Sequence, residues 1–185
     1  MYNRGRRRVA AFPRLQPLMN TYNGQDPTIH TLFTRDRVYR YLWIKQVIPD
    51  NDRVCHFVML NPSTADEFGP DPTIRRCIRF AQEWGYGVLA VTNIFALRST
   101  DPQNLKRVDD PVGSANDSYI AGMGRRAQHA ICAWGNHGSL NERSTQVKAL
   151  LQSNGVPLYH LGLNQSGEPK HPLYIPSKQE LQCFS

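Results

Sequence analysis

Apolar positions along this chain fall into two rhythms. His56-Phe57-Val58-Met59-Leu60, Gly87-Val88-Leu89-Ala90-Val91-Thr92, Ala130-Ile131-Cys132-Ala133-Trp134 and Val156–Leu161 are nearly continuous apolar runs. Runs of this length suit central strands covered on both faces. Val38-Tyr39-Arg40-Tyr41-Leu42-Trp43-Ile44 is rich in aromatic and β-branched residues, which also favours a strand. Pro49-Asp50-Asn51-Asp52 turns the chain after it, so this first strand reads as an antiparallel edge feeding the central strand at 56–60. Between the runs the period changes to three and four. Ile74, Cys77, Ile78 and Ala81 recur at helical spacing, with Asp71 placed to cap, Pro72 in the first turn and Gly85 as the stop. Asn116–Arg126 and Glu142–Gln152 read as two further helices.

Alternation of strand and helix predicts an α/β fold: a three-layer α/β/α sandwich with a mostly parallel central sheet and an antiparallel edge strand. Residues 31–185 form the single α/β domain of this reading. Residues 1–30, broken by Pro13, Pro17 and Pro27, form a basic, irregular N-terminal arm.

Charge sharpens the division. The net charge is +7, and residues 1–45 hold nine Lys/Arg against two Asp, so thirteen of each sign balance in the remainder. A basic leader on a neutral body fits contact with phosphate backbones. A solubilising arm fits equally, and both readings stay open. No apolar run has the length of a membrane span, which predicts a cytoplasmic protein with no membrane partner. Cys55, Cys77, Cys132 and Cys183 show no ligand spacing, so no metal and no cofactor is expected; a phosphate loop and a dinucleotide glycine motif are likewise missing.

In an open parallel sheet, ligands bind outside the carboxyl ends of the strands. Four such ends carry polar or aromatic side chains: Asn61-Pro62-Ser63-Thr64-Ala65-Asp66, Asn93, Trp134-Gly135-Asn136-His137 and, after a turn, Lys170-His171-Pro172-Leu173-Tyr174. Each has a structural alternative. Asn61 before Pro62 shapes a turn, Asn93 caps the segment after its strand, Trp134 fills the core, His171 is an exposed loop histidine or a satisfied buried one, and Asp71 caps a helix.

In order, the pieces ending in Asn61-Pro62, Asn93, Trp134-Gly135 and His171-Pro172 resemble the uracil-DNA glycosylase superfamily over residues 54–176. The strings LNPSTAD, TNIFALRST, DPVG, AWG and KHPLY look more closely like a widespread bacterial and phage family, domain of unknown function 1643. The first resemblance implies a uracil-DNA glycosylase-like sandwich that binds a nucleobase and hydrolyses an N-glycosidic bond in DNA or in a nucleotide. The alternative it leaves is a non-catalytic binding module of the same fold.

Carried over residue by residue, that resemblance makes Asn61 the water-positioning residue and His171 the group that supports the departing base. Asn93 reads the base edge. Ser63, Phe68, Trp134 and Tyr174 are further candidates for base contact, and Arg75, Arg98 and Lys170 for phosphate or DNA. Ser63 stands where the uracil-specific branch has an aromatic residue, and the last loop runs Leu173-Tyr174 instead of Ser-Pro-Leu, so the base itself is left undefined.

Overall fold

The computed structural model describes residues 19–22, 26, 28–64 and 70–184. Among the described residues, three α-helices and one sheet carry the fold. The strands are β1 (Met19–Tyr22), β2 (Ile29–Thr34), β3 (Arg40–Gln46), β4 (Val54–Met59), β5 (Val88–Asn93), β6 (Ala130–Cys132), β7 (Leu158–His160) and β8 (Gln182–Cys183). The helices are α1 (Pro72–Glu83), α2 (Asn116–Ala127) and α3 (Arg143–Ser153). The sheet order is β1-β2-β3-β5-β4-β6-β7-β8. Its centre, β5-β4-β6-β7, is parallel, and antiparallel strands complete both sides.

Side-chain alternation along β4 sorts the two faces. Cys55, Phe57 and Met59 bury against Ile74, Cys77 and Phe80 of α1. Val58, pointing the other way, joins Ile120 of α2 and Val147 and Leu151 of α3. Helices therefore cover both faces, as the continuous apolar runs require. Helix α1 starts as its sequence predicts, with Asp71 accepting from the Ile74 amide at 2.8 Å and Pro72 in the first turn. Helix α2 runs through Gly122 and Gly124, and at Gly124 the close approach of α3 requires glycine: a Cβ there would meet Leu151 Cδ2 at 2.8 Å.

Three expectations need correction. The strand at 40–46 is neither an edge nor a partner of β4; it is paired on one side with β2 and on the other, antiparallel, with β5. Apolar pattern marks a strand but not its neighbour, and the open side of β5 is the edge this strand closes. Within the stretch read as irregular, Met19–Tyr22 pairs with β2, and β2 itself starts at Ile29; residues 1–18 lie outside the described residues. Finally, the sheet is parallel only at its centre: four of its seven described pairings are antiparallel, and antiparallel strands flank both sides instead of one edge. Two residues of the basic leader are also tied into the fold. Lys45 pairs with Asp26, and Arg40, the first residue of β3, is 2% exposed.

Candidate functional site

The ends of β4, β5 and β6 open on one cavity of about 440 Å3. That lies within the usual range for small-molecule sites, about 300–1,000 Å3. Asn61, Asn93, Trp134, His171 and Tyr174 all line it, together with Arg40, Thr73, Asn136, His137 and Asn164. The first turn of α1 contributes through Thr73 and Ile74, bringing the positive end of a helix dipole to the wall. None of the described lining residues is acidic.

Hydrogen bonds decide which polar end each residue offers. Asn61 Nδ2 donates to Ser99 O at 2.8 Å and to Pro62 O at 3.2 Å. Carbonyls only accept, so the amide nitrogen is committed and Oδ1 is the group left for the cavity. Asn93 shows the reverse. Its Oδ1 accepts from Arg40 Nη2 at 3.0 Å, and both residues are 2% exposed. Since a guanidinium only donates, Nδ2 is the end of Asn93 left for a ligand. The backbone on either side is also tied: Asn116 Nδ2 donates to Asn93 O at 2.8 Å and to Ile94 O at 3.1 Å.

His171 stands at the start of the short helical turn Pro172–Tyr174, and its Nδ1 accepts from the Leu173 amide at 3.4 Å. Burial lowers its pKa below the ordinary 6.5, with the nearby Asp71 carboxylate opposing the shift. The ring is thus neutral at pH 7, and with Nδ1 accepting, Nε2 carries the hydrogen. Arg76 of α1 holds this loop. Its Nη2 donates to Ile175 O at 2.6 Å, its Nη1 to Ser177 Oγ at 3.3 Å, and its guanidinium lies 4.7 Å from the Phe80 ring centroid. Tyr174, 81% exposed, stands at the rim with its ring 5.9 Å from that of His171.

Trp134 belongs mainly to the core. Its Nε1 donates to Glu168 Oε2 at 2.5 Å, Ser144 supports the same carboxylate at 2.7 Å, and Gly138 lies flat against the indole. Ser63 does not line the cavity, and Phe68 lies outside the described residues. Arg75, Arg98 and Lys170 do not line it either. Arg75 Nη1 donates to Pro70 O at 2.5 Å, whereas Arg98 donates to Arg37 O at 2.8 Å and covers the Phe33 ring at 4.9 Å.

Sequence reasoning passed over Arg40, which composition had grouped with the basic leader, and gave no role to Asn136 and His137 despite their place after Trp134-Gly135. Thr73 and Asn164 had no signal of their own. Among the described residues no three His, Cys, Asp or Glu side chains gather as metal ligands. Cys55, Cys77 and Cys132 are buried and their thiol pKa values are pushed up by that burial, so they act as core residues. No helix of the described residues is long and apolar enough to cross a membrane.

Four of the recognised strings, LNPSTAD, TNIFALRST, AWG and KHPLY, bring a residue to this cavity. The fifth, DPVG, braces it: Asp110 caps the Val112 and Gly113 amides at 2.9 Å, and Val112 O and Pro111 O receive Ala96 and Leu97. Residues 40–173 match the family DUF1643, described as a protein of unknown function. The chain belongs to the DUF1643 family. No curated protein and no solved structure matches it. The DUF1643 segment opens on Arg40 and closes on Leu173, so it holds Asn61, Asn93, Trp134 and His171 and leaves β1, β2 and β8 outside.

Proposed function

We propose that this DUF1643 protein binds a nucleobase in the cavity and hydrolyses the bond between that base and its sugar, in DNA or in a nucleotide. One observation carries the reading: Asn61, Asn93 and His171, distant in sequence, line a common cavity and present complementary polar ends to it. Helices on both sides of a sheet whose centre is parallel support the glycosylase-like sandwich from which those roles are carried over.

In the proposed reaction the C–N bond between sugar and base breaks with its electron pair going to the base. Positive charge grows on the sugar and negative charge on the base oxygen. Asn93 Nδ2 and His171 Nε2–H are the two donors available to that oxygen, and one preorganised donor of this kind is worth ~3 kcal/mol. Asn61 Oδ1 accepts a hydrogen bond from a water molecule and holds it for addition to the sugar carbon; the water keeps one hydrogen as the new hydroxyl and loses the other to solvent, from which the departed base anion takes a proton. An amide cannot take up that proton, which suits a reaction where departure of the base is the hard step.

Tyr174, which lines the cavity, is 81% exposed, and its neighbour Leu173 is 47% exposed. Such side chains stack on unpaired bases or wedge into a duplex. DNA is therefore the first substrate to try, with free nucleotides as the second.

The test is formation of abasic sites in single- and double-stranded DNA carrying uracil, hypoxanthine or alkylated bases, and release of free base from the matching nucleotides. Cleavage that drops at least about a hundredfold in both His171→Ala and Asn61→Ala supports the assignment. Cleavage indifferent to both removes it. A cavity whose described lining holds no carboxylate favours one other reading, a binding module. Base binding without any bond cleavage is its signature.

A further inference from the structure

Beside the cavity lies a smaller annex of about 230 Å3 that shares Pro102, Asn136 and His137 with its wall. Two short helical segments form it. Pro102–Lys106 lies between β5 and α2, with the Asp101 carboxylate turned onto the Gln103 amide at 2.9 Å and Leu105 anchored in the core, which leaves Lys106 at the annex. Asn136–Glu142 lies between β6 and α3. The hairpin closed by the Leu163–Pro169 bridge fastens its first residue: Ser166 Oγ accepts from the Glu168 amide at 3.4 Å and donates to Asn136 Oδ1 at 2.8 Å. Asn136 therefore has Nδ2, a donor, left for a ligand where the two spaces join. Lys106 and His137 are exposed, and neither side chain bonds to any described residue. None of the described residues lining the annex is acidic. An ammonium, a ring N–H and an amide N–H thus line one concavity with no carboxylate, an arrangement that suits an anion. Ser139 gives its hydroxyl hydrogen to Asn136 O at 3.1 Å, and Pro102, Leu105 and Leu140 complete the lining with apolar surface.

We propose that the annex takes the terminal phosphate of a nucleotide whose base lies in the main cavity, with Lys106 as the cation that holds it. This rests on the nucleobase reading above and names the substrate class, a free nucleotide ahead of a strand. A phosphate monoester carries close to two negative charges at neutral pH, against one for the diester of a strand, so a lysine attracts it more strongly. A strand would also have to continue past the phosphate over Pro102, Leu105 and Leu140, which offer its next sugar no polar partner. Lys106, His137 and Asn136 have no part in the cleavage step described above.

The experiment is calorimetry on the whole chain with uridine, its 5′- and 3′-monophosphates, the dinucleotide UpU and ribose 5-phosphate, repeated with the inosine series because the base is undefined. The better monophosphate is expected to bind at least about tenfold more tightly than its nucleoside, and more tightly than the dinucleotide. In Lys106→Met that advantage falls at least about threefold while nucleoside affinity stays. Arg107→Met, the same change of charge one residue on and outside the annex, keeps it; both side chains are exposed, so each variant folds. Nucleoside and monophosphate binding alike, or an advantage that Lys106→Met leaves intact or Arg107→Met removes equally, overturns the annex and leaves the nucleobase cavity standing. A dinucleotide bound more tightly than the monophosphate overturns the free nucleotide as the substrate class. Ribose 5-phosphate bound as tightly as the monophosphates overturns the nucleobase reading and keeps the annex as a phosphate site. Failure of every compound to bind overturns both.

Discussion

Release of the loop that carries His171 is the sharpest perturbation the structure offers, and Arg76→Met delivers it. Methionine keeps the apolar stem against Phe80 but removes the donor to Ile175 O at 2.6 Å, the weaker one to Ser177 Oγ at 3.3 Å and the cation over the ring at 4.7 Å. A hydrogen bond from a charged donor is worth about 1.5–3 kcal/mol, and a cation–π contact at a partly exposed site about 0.5–1. Allowing for residual hydration of Arg76, roughly 2–3 kcal/mol of local stability should go. The loop's own bonds, Tyr174 N to His171 O at 3.0 Å and Ile175 N to Pro172 O at 3.3 Å, are too few to hold it alone. Hydrogen exchange reads the effect directly: protection of the Tyr174 and Ile175 amides should fall about 30- to 150-fold, while β4 and β5 amides keep theirs. Base affinity should fall with it, because His171 loses its place. Unchanged protection at both amides would refute the tether. So would a uniform loss across the sheet, which would make Arg76 a support of the whole fold.

Gly138→Ala drives a methyl to within 2.0 Å of Trp134 Cδ1 and 2.6 Å of its Nε1, displacing the indole and its bond to Glu168. The combined cost of strain and a broken bond is about 3 kcal/mol, visible as a fall of roughly 10 °C in the melting temperature and a change in tryptophan fluorescence. His56 is fully buried, its Nε2 bonded to Thr92 Oγ1 at 2.8 Å, and burial draws its pKa down to about 3. A histidine depressed in the folded state adds stability that is present above the unfolded pKa of 6.5 and is lost as pH falls towards about 3. Urea midpoints between pH 6 and pH 4 should therefore fall less steeply in His56→Gln, by up to about 1 kcal/mol per pH unit; an identical slope in the two proteins would remove His56 as the cause. Tyr174→Ala, at 81% exposure, should leave the melting temperature within about 2 °C and still weaken binding to single-stranded DNA, checked by fluorescence anisotropy.

What the sequence disclosed, it disclosed through covering and spacing. Buried strands such as Val54–Met59 and Val88–Asn93 are written as unbroken apolar runs because both of their faces are covered, and Asp71-Pro72 marks the start of α1 in local chemistry alone. The polar residues ending those runs gather at one edge of a sheet on pattern alone, since parallel strands end on the same side. Partners were another matter. Whether Arg40–Gln46 lies beside β4 or β5 depends on contacts more than forty residues away, which no window of pattern contains. Helix α3 hides its inner face: Arg143 and Ser144 are buried there, Arg143 paired with Asp117 and bonded to Ile94 O at 2.8 Å, so polar letters occupy core positions. Arg40 was obscured for the same reason. A charge count assigns arginine to the surface, and only the cavity beside Asn93 explains one that is not.

The reversed direction of β3 has a bearing on how such a cavity can change. Asn61, Trp134, Asn136, His137, Asn164, His171 and Tyr174 follow the end of a parallel strand, on connections whose length and composition are open to revision. Arg40 arrives from the opposite direction as the opening residue of a laddered strand, paired with Phe33 and bonded to Ala96 O. Rewriting the mouth would alter what the protein accepts while one fixed cation stays in place, a constant against which new ligands are sorted.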